Sequence, residues 1–501
     1  MLKSFLSLFR YGQIPKRLVI SAQLLFFSCV LGAISLQAKE MGPLRVHTEN
    51  PRYFSNPSGR VVYLTGSHTW ATLQERGIEG ETPDFDYLKF LDFLKEHNHS
   101  FLRLWSWEHA TWMQFREREI LIRYTPSPYM RTGPGTAIDG KPKFDLNKFN
   151  PIFFERLRSR VSLARERGLY VGVMLFQGFS VEQKGKKGVN PEMGNPWDGH
   201  PFNKKNNINH IDGDINRDGE GEETHTLANP AIVELQETYV RKMIDTLNDL
   251  DNIIWEISNE SHGDSTEWQY HMIQFIKKYE QTKPQHHPTW MTFQWSDHNK
   301  GINETLFRSP AEVISPGKEG GYINNPPASG GEKIVIVDTD HIDPSLKQIK
   351  GEWAWKSFLR GLNPIVMDEY MDVRAGSPHQ PVEKFESIRK ALGQTKVLAQ
   401  HINLSHMYPH GELCSSDYCL ADPGREYLAF KPELEEAIWI KLPPGVYKAS
   451  FYSSRLGKFL KTDELKTVED SIWSKLFPFK KKQKIVFPFK EMGVIYIKRQ
   501  T

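Results

Sequence analysis

The residues best suited to chemistry in this sequence are Asn259 and Glu260, which directly follow a short strand-like run. Residues 253–257 are mostly β-branched or aromatic and predict a buried strand. Residues 233–247 carry apolar side chains three and four positions apart and predict a helix before that strand. Helix, buried strand and then an acidic side chain is the order in which a (β/α)8 barrel presents a carboxylate at its mouth. An isolated Asn-Glu pair is more often a solvated turn after a strand, so the interpretation needs a second carboxylate.

Asp368 and Glu369 supply that second carboxylate after the apolar run at residues 363–367, which we assign as strand seven. Carboxylates after strands four and seven face each other across a barrel mouth. Such a pair can hydrolyse a glycosidic bond, because one protonates the leaving oxygen and the other attacks the anomeric carbon. We expect Glu260 to be the acid/base and Glu369 the nucleophile, about 5 Å apart as in retaining enzymes. Neighbouring strand residues point to opposite sides, so Asp368 is the rival nucleophile.

The surrounding sequence alternates strand and helix patterns, which predicts an α/β fold with a (β/α)8 barrel over residues 39–412. From residue 413 onwards short strands are separated by turns, which predicts an antiparallel β-sandwich over 413–501, packed on the barrel. The predicted barrel strands, one to eight, are residues 61–66, 100–105, 169–177, 253–257, 289–295, 333–338, 363–367 and 401–408.

Several polar and aromatic residues lie at or near the ends of these strands and are candidate substrate contacts. Aromatic faces can stack on sugar rings, although most aromatic residues fill cores. His68 could equally be a core histidine. The candidate substrate-binding residues are Asn259, Arg103, His68, Trp70, Trp107, Gln177, Trp295, Asp340 and His341.

At these positions the chain resembles the clan of retaining β-glycosidase barrels that carry Asn-Glu after strand four and Glu after strand seven. The resemblance implies that Arg103 orients the nucleophile and that His341 is the histidine often found after strand six. The nearest likeness is to secreted bacterial proteins that join such a barrel to a C-terminal domain named for collagen binding. Residues 64–70, 251–260 and 419–427 carry that likeness.

A loop rich in acidic residues and glycine offers a candidate metal site. Asp214, Asn216 and Asp218, followed by Gly219, match the first half of an EF-hand-type loop. The twelfth position is His225 instead of the bidentate glutamate that such a loop uses. We therefore expect either structural calcium or a plain acidic loop over the mouth, and no cofactor is required for the chemistry.

The N-terminus has the pattern of a secretory signal. Basic residues precede an apolar run at about 18–38, so we predict a signal peptide over residues 1–38 and a secreted or periplasmic protein. The run is also long enough for an uncleaved membrane anchor. Cys414 and Cys419 lie in one loop, and an exported protein could pair them.

The overall charge excludes some partner classes. The chain has 64 basic and 61 acidic residues, and this net charge of +3 does not indicate binding to nucleic acid or to a membrane surface. We expect a monomer with a carbohydrate substrate.

Two hypotheses compete with a retaining hydrolase. One is a non-catalytic carbohydrate-binding or adhesion protein on a degenerate barrel, because a fold alone does not define an activity. The other is an inverting hydrolase or a lyase that uses Asp340 or Asp368. The feature that separates them is whether two carboxylates converge at the mouth.

Overall fold

The computed structural model describes residues 41–78, 80–81, 84–115, 119–182, 193–296, 299–370, 382–467 and 482–500. Its centre is a closed barrel of eight parallel strands, ordered around the barrel as they occur in the chain. The barrel strands are β1 (Gly66–His68), β2 (Phe101–Leu104), β3 (Tyr170–Gln177), β4 (Ile253–Asn259), β5 (Thr289–Thr292), β6 (Val313–Ser315), β7 (Ile334–Asp338) and β8 (Asn363–Met367). The predicted (β/α)8 fold is therefore confirmed. The predicted signal peptide lies outside the described residues.

Helices follow the strands and cover the barrel. Residues 316–333, between β6 and β7, are described throughout and form no helix. The helices are α1 (Tyr87–Glu96), α2 (Pro151–Glu166), α3 (Pro230–Leu247), α4 (Thr266–Glu280), α5 (Asn303–Arg308), α6 (Thr339–Ile342), α7 (Gly351–Leu359) and α8 (Glu386–His401). No helix in the described ranges is long and apolar enough to cross a membrane.

The barrel closes where β1 lies between β8 and β2. Val366 pairs with Ser67 on one side, and Gly66 pairs with Phe101 on the other. A Cβ at Gly66 would lie 1.9 Å from the carbonyl oxygen of Phe101, so only glycine allows the two strands to approach this closely.

The numbering of the later strands was predicted wrongly. Val313–Ser315 is the sixth strand, and it escaped prediction because it has only three residues between polar and proline-containing segments. The run at 334–338 is therefore strand seven, and the run at 363–367 is strand eight. The predicted strand at 401–408 does not exist, because α8 ends at His401 and Tyr408–Pro409 joins the C-terminal sheet. Asp368 and Glu369 thus follow strand eight, and Asp338 ends strand seven.

The barrel interior is layered. Phe101, Ile254, Trp290 and Ile336 pack together in its lower half. Two residues further along three of these strands, the inward positions are Arg103, Glu256 and Asp338, all fully buried. An apolar floor therefore supports a charged layer directly below the mouth.

Two antiparallel insertions rise from the strand ends near β1 and β2. One is a three-stranded sheet of Glu75–Ile78, Glu119–Thr125 and Thr111–Phe115, and the other pairs Tyr129–Thr136 with Pro142–Phe149. A third small sheet, Arg45–Val46, Phe54–Ser55 and Val61–Val62, precedes the barrel, so residues 61–62 lie outside strand one.

The C-terminal region consists of two antiparallel sheets, as expected for a β-sandwich. Leu428 and Phe430 belong to the apolar core shared with the barrel, whereas Tyr427 and Ala429 pack in a second core between the two sheets. This alternation follows from the two-residue period of a strand. The larger sheet contains Tyr408–Pro409, Cys419–Asp422, Glu426–Lys431, Gly493–Arg499, Gly445–Ser453 and Lys458–Thr467, and the smaller pairs Ala437–Lys441 with Lys482–Val486.

The two cysteines in this region do not form a disulfide. Cys414 and Cys419 are both buried free thiols, and Cys414 lies 3.2 Å from the hydroxyl of Ser416. Pairing of the two thiols, which an oxidising compartment would permit, is therefore not part of this structure.

The contact between α8 and the end of α1 gives a stability prediction. A Cβ at Gly393 would lie 1.8 Å from the carbonyl oxygen of His97. Gly393→Ala should therefore lower the free energy of unfolding by about 1–3 kcal/mol, the usual cost of overpacking, although alanine favours an isolated helix. Denaturant unfolding measures this change. Lys390→Ala, an exposed site on the same helix, is the control, and a stabilised Gly393→Ala variant would contradict the predicted clash.

Candidate active site

A cleft of about 490 Å³ opens at the C-terminal ends of the barrel strands. Aromatic side chains from the β1 and β2 loops form one wall, and carboxylates after β4, β7 and β8 line the remainder. The lining residues are Trp70, Arg76, Trp105, Trp107, Trp112, Gln177, Phe179, Met193, Asn259, Glu260, Asp340, Pro344, Ser345, Met367, Asp368 and Glu369.

Glu260 lies immediately beyond β4 in an unusual backbone conformation. Its φ is +49°, in the left-handed region that residues with a Cβ rarely adopt. Such strain costs about 1–3 kcal/mol, and it concentrates at functional sites. A Cβ at Gly178 would lie 2.1 Å from the carbonyl oxygen of Glu260, so glycine after β3 leaves room for the Glu260 peptide.

The side chain of Asn259 is held by three neighbours. Its Oδ1 accepts hydrogen bonds from Arg103 Nη2 at 2.7 Å and from His341 Nε2 at 3.0 Å. Its Nδ2 donates to Gln177 Oε1 at 3.2 Å. These contacts fix which end of the amide is oxygen and hold the group beside Glu260 at the cleft.

His341 is bonded at both ring nitrogens. Its Nδ1 lies 2.9 Å from Ser315 Oγ, and burial lowers the pKa of His341 from 6.5 to about 4. A neutral ring that donates from Nε2 to Asn259 accepts at Nδ1 from the Ser315 hydroxyl. The short strand β6, which the sequence did not predict, therefore orients His341.

Arg103 organises the charged layer below the cleft. Its guanidinium donates to Glu256 at 2.5 and 3.0 Å, to Asp338 at 2.9 Å and to Asp340 at 3.0 Å. The same group lies over the ring of Trp105 at 4.8 Å. One buried cation thus joins the ends of β2, β4 and β7.

The ionisation of this layer follows from burial and mutual attraction. Burial by itself disfavours the charge on Arg103, but Glu256 and Asp338 outweigh it and raise the pKa of Arg103. Burial likewise acts to raise the pKa of Asp338, and here His68 and Arg103 outweigh it and lower that pKa. Burial dominates at Glu256, whose pKa is raised. Arg103 and Asp338 therefore stay charged at neutral pH.

The three carboxylates that could act opposite Glu260 differ in their surroundings. Asp368 is buried and forms a two-pronged ion pair with Arg389, at 2.6 and 2.7 Å. Glu369 is partly exposed and bonds to Lys384 Nζ at 2.8 Å. Asp340, beyond β7, borders the cleft next to Arg103. Asp368 thus lines the cleft with its carboxylate paired to Arg389, and its role as a rival nucleophile stays a prediction.

Among the other predicted contacts, Trp70, Trp107 and Gln177 line the cleft and two residues do not. His68 is fully buried, bonds to Asp338 at 2.9 Å and stacks on Trp105, so it is a core histidine. Trp295 lies outside the cleft, with Lys300 Nζ 3.7 Å from its ring centroid.

The loop with the candidate calcium ligands does not line the cleft. Asp214 Oδ1 and Asn216 Oδ1 accept hydrogen bonds from the backbone N–H of Asp218, and Asp218 Oδ1 accepts from the N–H of Glu220. Across the described ranges, no group of three or more His, Cys, Asp or Glu side chains is arranged to hold a metal ion. The oxygens thus stabilise turns of their own loop, and calcium binding stays a prediction.

Sequence reasoning missed part of the cleft wall. Trp112, Arg76 and Phe179 belong to the insertions or to a 3-10 turn and not to the ends of barrel strands, where the sequence pattern indicates inward side chains. Glu256 was also missed, although its place within an otherwise apolar strand, two residues beyond Ile254, was a usable signal for an inward charge.

Comparison with known proteins supports the fold. A domain of unknown function (DUF6298) matches residues 113–293, and no curated protein matches the chain. A solved glycoside hydrolase structure shares 12% identity and covers 92% of this chain and 97% of its own, with a TM-score of 0.56. A glycoside hydrolase family 5 protein from Bacteroides vulgatus shares 12% identity over 91% and 94% of the two chains, with a TM-score of 0.54. The chain thus shares the fold of these proteins over most of its length.

The lowered pKa of His341 predicts a dependence of stability on pH. Between pH 6.5 and about pH 4 the unfolded chain binds a proton at His341 and the folded chain does not, so stability falls as the pH falls. This residue alone should remove about 2 kcal/mol of unfolding free energy between pH 7 and pH 5. Denaturant unfolding of the wild type and of His341→Gln at both pH values measures the effect. Equal losses in the two proteins would contradict it.

Proposed function

We propose that the protein hydrolyses O-glycosidic bonds in a polysaccharide or glycan by a two-carboxylate, retaining mechanism. The observation that carries this proposal is Glu260, which has a strained backbone and lies partly exposed beside the buried Asn259, in a cleft that has an aromatic wall and further carboxylates. Aromatic faces suit the apolar faces of sugar rings, and the carboxylates suit proton transfer to and nucleophilic attack on a glycoside. Export directed by residues 1–38 would bring a monomeric enzyme to such substrates.

Glu260 is the proposed acid/base. It would protonate the leaving oxygen in the first step and deprotonate water in the second. Asn259, whose amide is held by Arg103, His341 and Gln177, would hydrogen-bond a sugar hydroxyl next to the scissile bond. Trp70 and Trp107 would support the sugar rings.

The proposed nucleophile is Asp340, and Glu369 is the alternative. The sequence favoured Glu369 because it was assigned to strand seven, but the strand-seven carboxylates are Asp338 and Asp340. Asp338 does not line the cleft, whereas Asp340 does and is oriented by Arg103. Glu369 also lines the cleft, but it follows the next strand and pairs with Lys384.

Removal of the Glu260 carboxyl should reduce turnover most for substrates with poor leaving groups. Glu260→Ala should lower kcat/KM on a natural glycan by about 10²–10⁴-fold, because the leaving oxygen needs a proton. For aryl glycosides whose leaving phenol is acidic, kcat/KM should fall much less. The test first screens a panel of polysaccharides for hydrolysis and then measures kcat/KM on aryl glycosides whose leaving phenols differ in acidity. Asp264→Asn, an exposed acid on the same loop, is the control.

Some outcomes of this screen would overturn the proposal. If the wild type binds glycans on the panel without cleaving any, the protein is a carbohydrate-binding or adhesion protein. If Glu260→Ala keeps full turnover on poor leaving groups, Glu260 is not the acid.

Azide rescue should identify the nucleophile. Asp340→Ala should abolish turnover, and azide should restore it with a glycosyl azide of inverted configuration, because azide occupies the empty position of the nucleophile. Glu369→Ala should keep most of the activity. Asp368→Asn should lower stability by about 3–5 kcal/mol through its broken buried pair with Arg389, and azide should not rescue it. Rescue of Glu369→Ala alone would assign the nucleophile to Glu369.

Proton NMR of the first-formed product would test retention directly. The same anomer as in the substrate is expected. The opposite anomer would indicate inversion, and with it a wider carboxyl separation of more than about 6.5 Å.

A further inference from the structure

A chain of hydrogen bonds below the cleft includes Ser261, the residue that follows Glu260. Glu108 Oε1 lies 2.9 Å from His225 Nε2, and His225 Nδ1 lies 2.9 Å from Ser261 Oγ. His225 and Ser261 are fully buried, and the His225 ring stacks on Trp268 at 4.5 Å with an interplanar angle of 12°. The proposed mechanism uses none of these groups.

The charge on Glu108 sets the direction of its bond to His225. Burial acts to raise the pKa of Glu108, but His225 and His200 outweigh it and lower that pKa, so the group is a carboxylate. A carboxylate only accepts hydrogen bonds, so His225 Nε2 donates to Glu108. His225 Nδ1 faces the hydroxyl of Ser261, so the ring links Glu108 to Ser261.

The same carboxylate also fixes the turn on the other side of Glu260. Glu108 Oε1 accepts the backbone N–H of Gln177 at 2.7 Å. Gly178, the next residue, is the one whose missing Cβ makes room for the Glu260 carbonyl. Glu108 thus joins the turn after β3 to the turn after β4.

The backbone of Glu260 needs such support, because its φ of +49° is disfavoured. Ser261 is held by its side chain, which contacts His225 Nδ1 and also Ser258 Oγ at 2.5 Å, and by its carbonyl oxygen, which accepts from the backbone N–H of Trp295 at 3.0 Å. Both constraints act on the residue adjacent to the strained one.

We propose that His225, held between Glu108 and Ser261, is the positioning residue that keeps the Glu260 carboxyl at the cleft in the geometry required for proton transfer. This rests on the proposed role of Glu260 as the acid/base. His225 does not touch substrate, and its effect passes through the backbone of Ser261 and Glu260.

The chain offers a matched control in His200. It also contacts Glu108, at 3.3 Å through Nε2, and its ring packs beside Trp197, but it has no bond to Ser261. His225→Phe and His200→Phe each retain a ring and remove one partner of Glu108. Only the first breaks the connection to Ser261.

The test compares these variants for leaving-group dependence in the full-length protein. His225→Phe should lower kcat/KM on glycans with poor leaving groups by about 10-fold or more and change it little on activated aryl glycosides, since only the former need the acid. His200→Phe should leave the ratio of the two activities unchanged. His225→Gln can donate at one end of its amide and accept at the other. Its ratio of activity on poor to activated leaving groups should lie between those of His225→Phe and the wild type. A ratio in His225→Phe equal to that of the wild type would overturn the proposal.

A second measurement does not depend on turnover. Carboxyl ¹³C NMR of glutamate-labelled protein, with the Glu260 signal assigned from Glu260→Gln, should show a changed Glu260 titration in His225→Phe and an unchanged one in His200→Phe. Identical titrations in both variants would overturn the positioning role. If no glycoside is hydrolysed by the wild type, the proposed function fails, and the NMR result still decides whether His225 positions Glu260.

Discussion

The site depends on one buried positive charge. Arg103 sits on an apolar floor inside the barrel and donates to carboxylates from two other strands and to the amide of Asn259. A buried cation without partners would be strongly destabilising, so the carboxylates are needed for the fold as well as for the site. Because the same guanidinium binds each of these carboxylates, the ends of β2, β4 and β7 have a defined spacing. That spacing sets the width of the cleft above them.

Support for Glu260 comes from outside this layer. The loop that ends at His225 looked like a calcium site in the sequence, yet its acidic side chains accept hydrogen bonds from their own backbone. Its contribution to the site comes through one histidine at its end, which reaches Ser261. The mouth is thus held from below by the ion pairs of Arg103 and from the side by the hydrogen bonds of His225.

The sequence predicted the barrel, strands two to five and the position of Glu260 because these depend on long apolar runs with clear periodicity. Strand one lies at Gly66–His68, so it overlaps the predicted run at 61–66 at one residue only. The prediction failed at β6, which has three residues, and that omission moved every later strand by one place. The error mattered for the chemistry, since it gave Glu369 the position across the mouth that belongs to the residues after Asp338. The pairing of Asp368 could not be predicted either, because its partner Arg389 is a helix residue 21 positions away and no local pattern connects the two. His68 could not be assigned from its neighbours, because only the closed barrel brings Asp338 to it.

The larger C-terminal sheet packs against the last two barrel helices through apolar side chains. Trp355 of α7 packs against Tyr452, His401 at the end of α8 packs against Phe459 and Tyr496, and the apolar core continues from the barrel into the larger sheet without a break. Interfaces between independent modules are commonly smaller and more polar. Here the last two barrel helices lie between two hydrophobic partners, as a core helix does. The barrel and the sandwich therefore share one apolar core, and removal of the sandwich would expose the apolar side of the last two barrel helices to water.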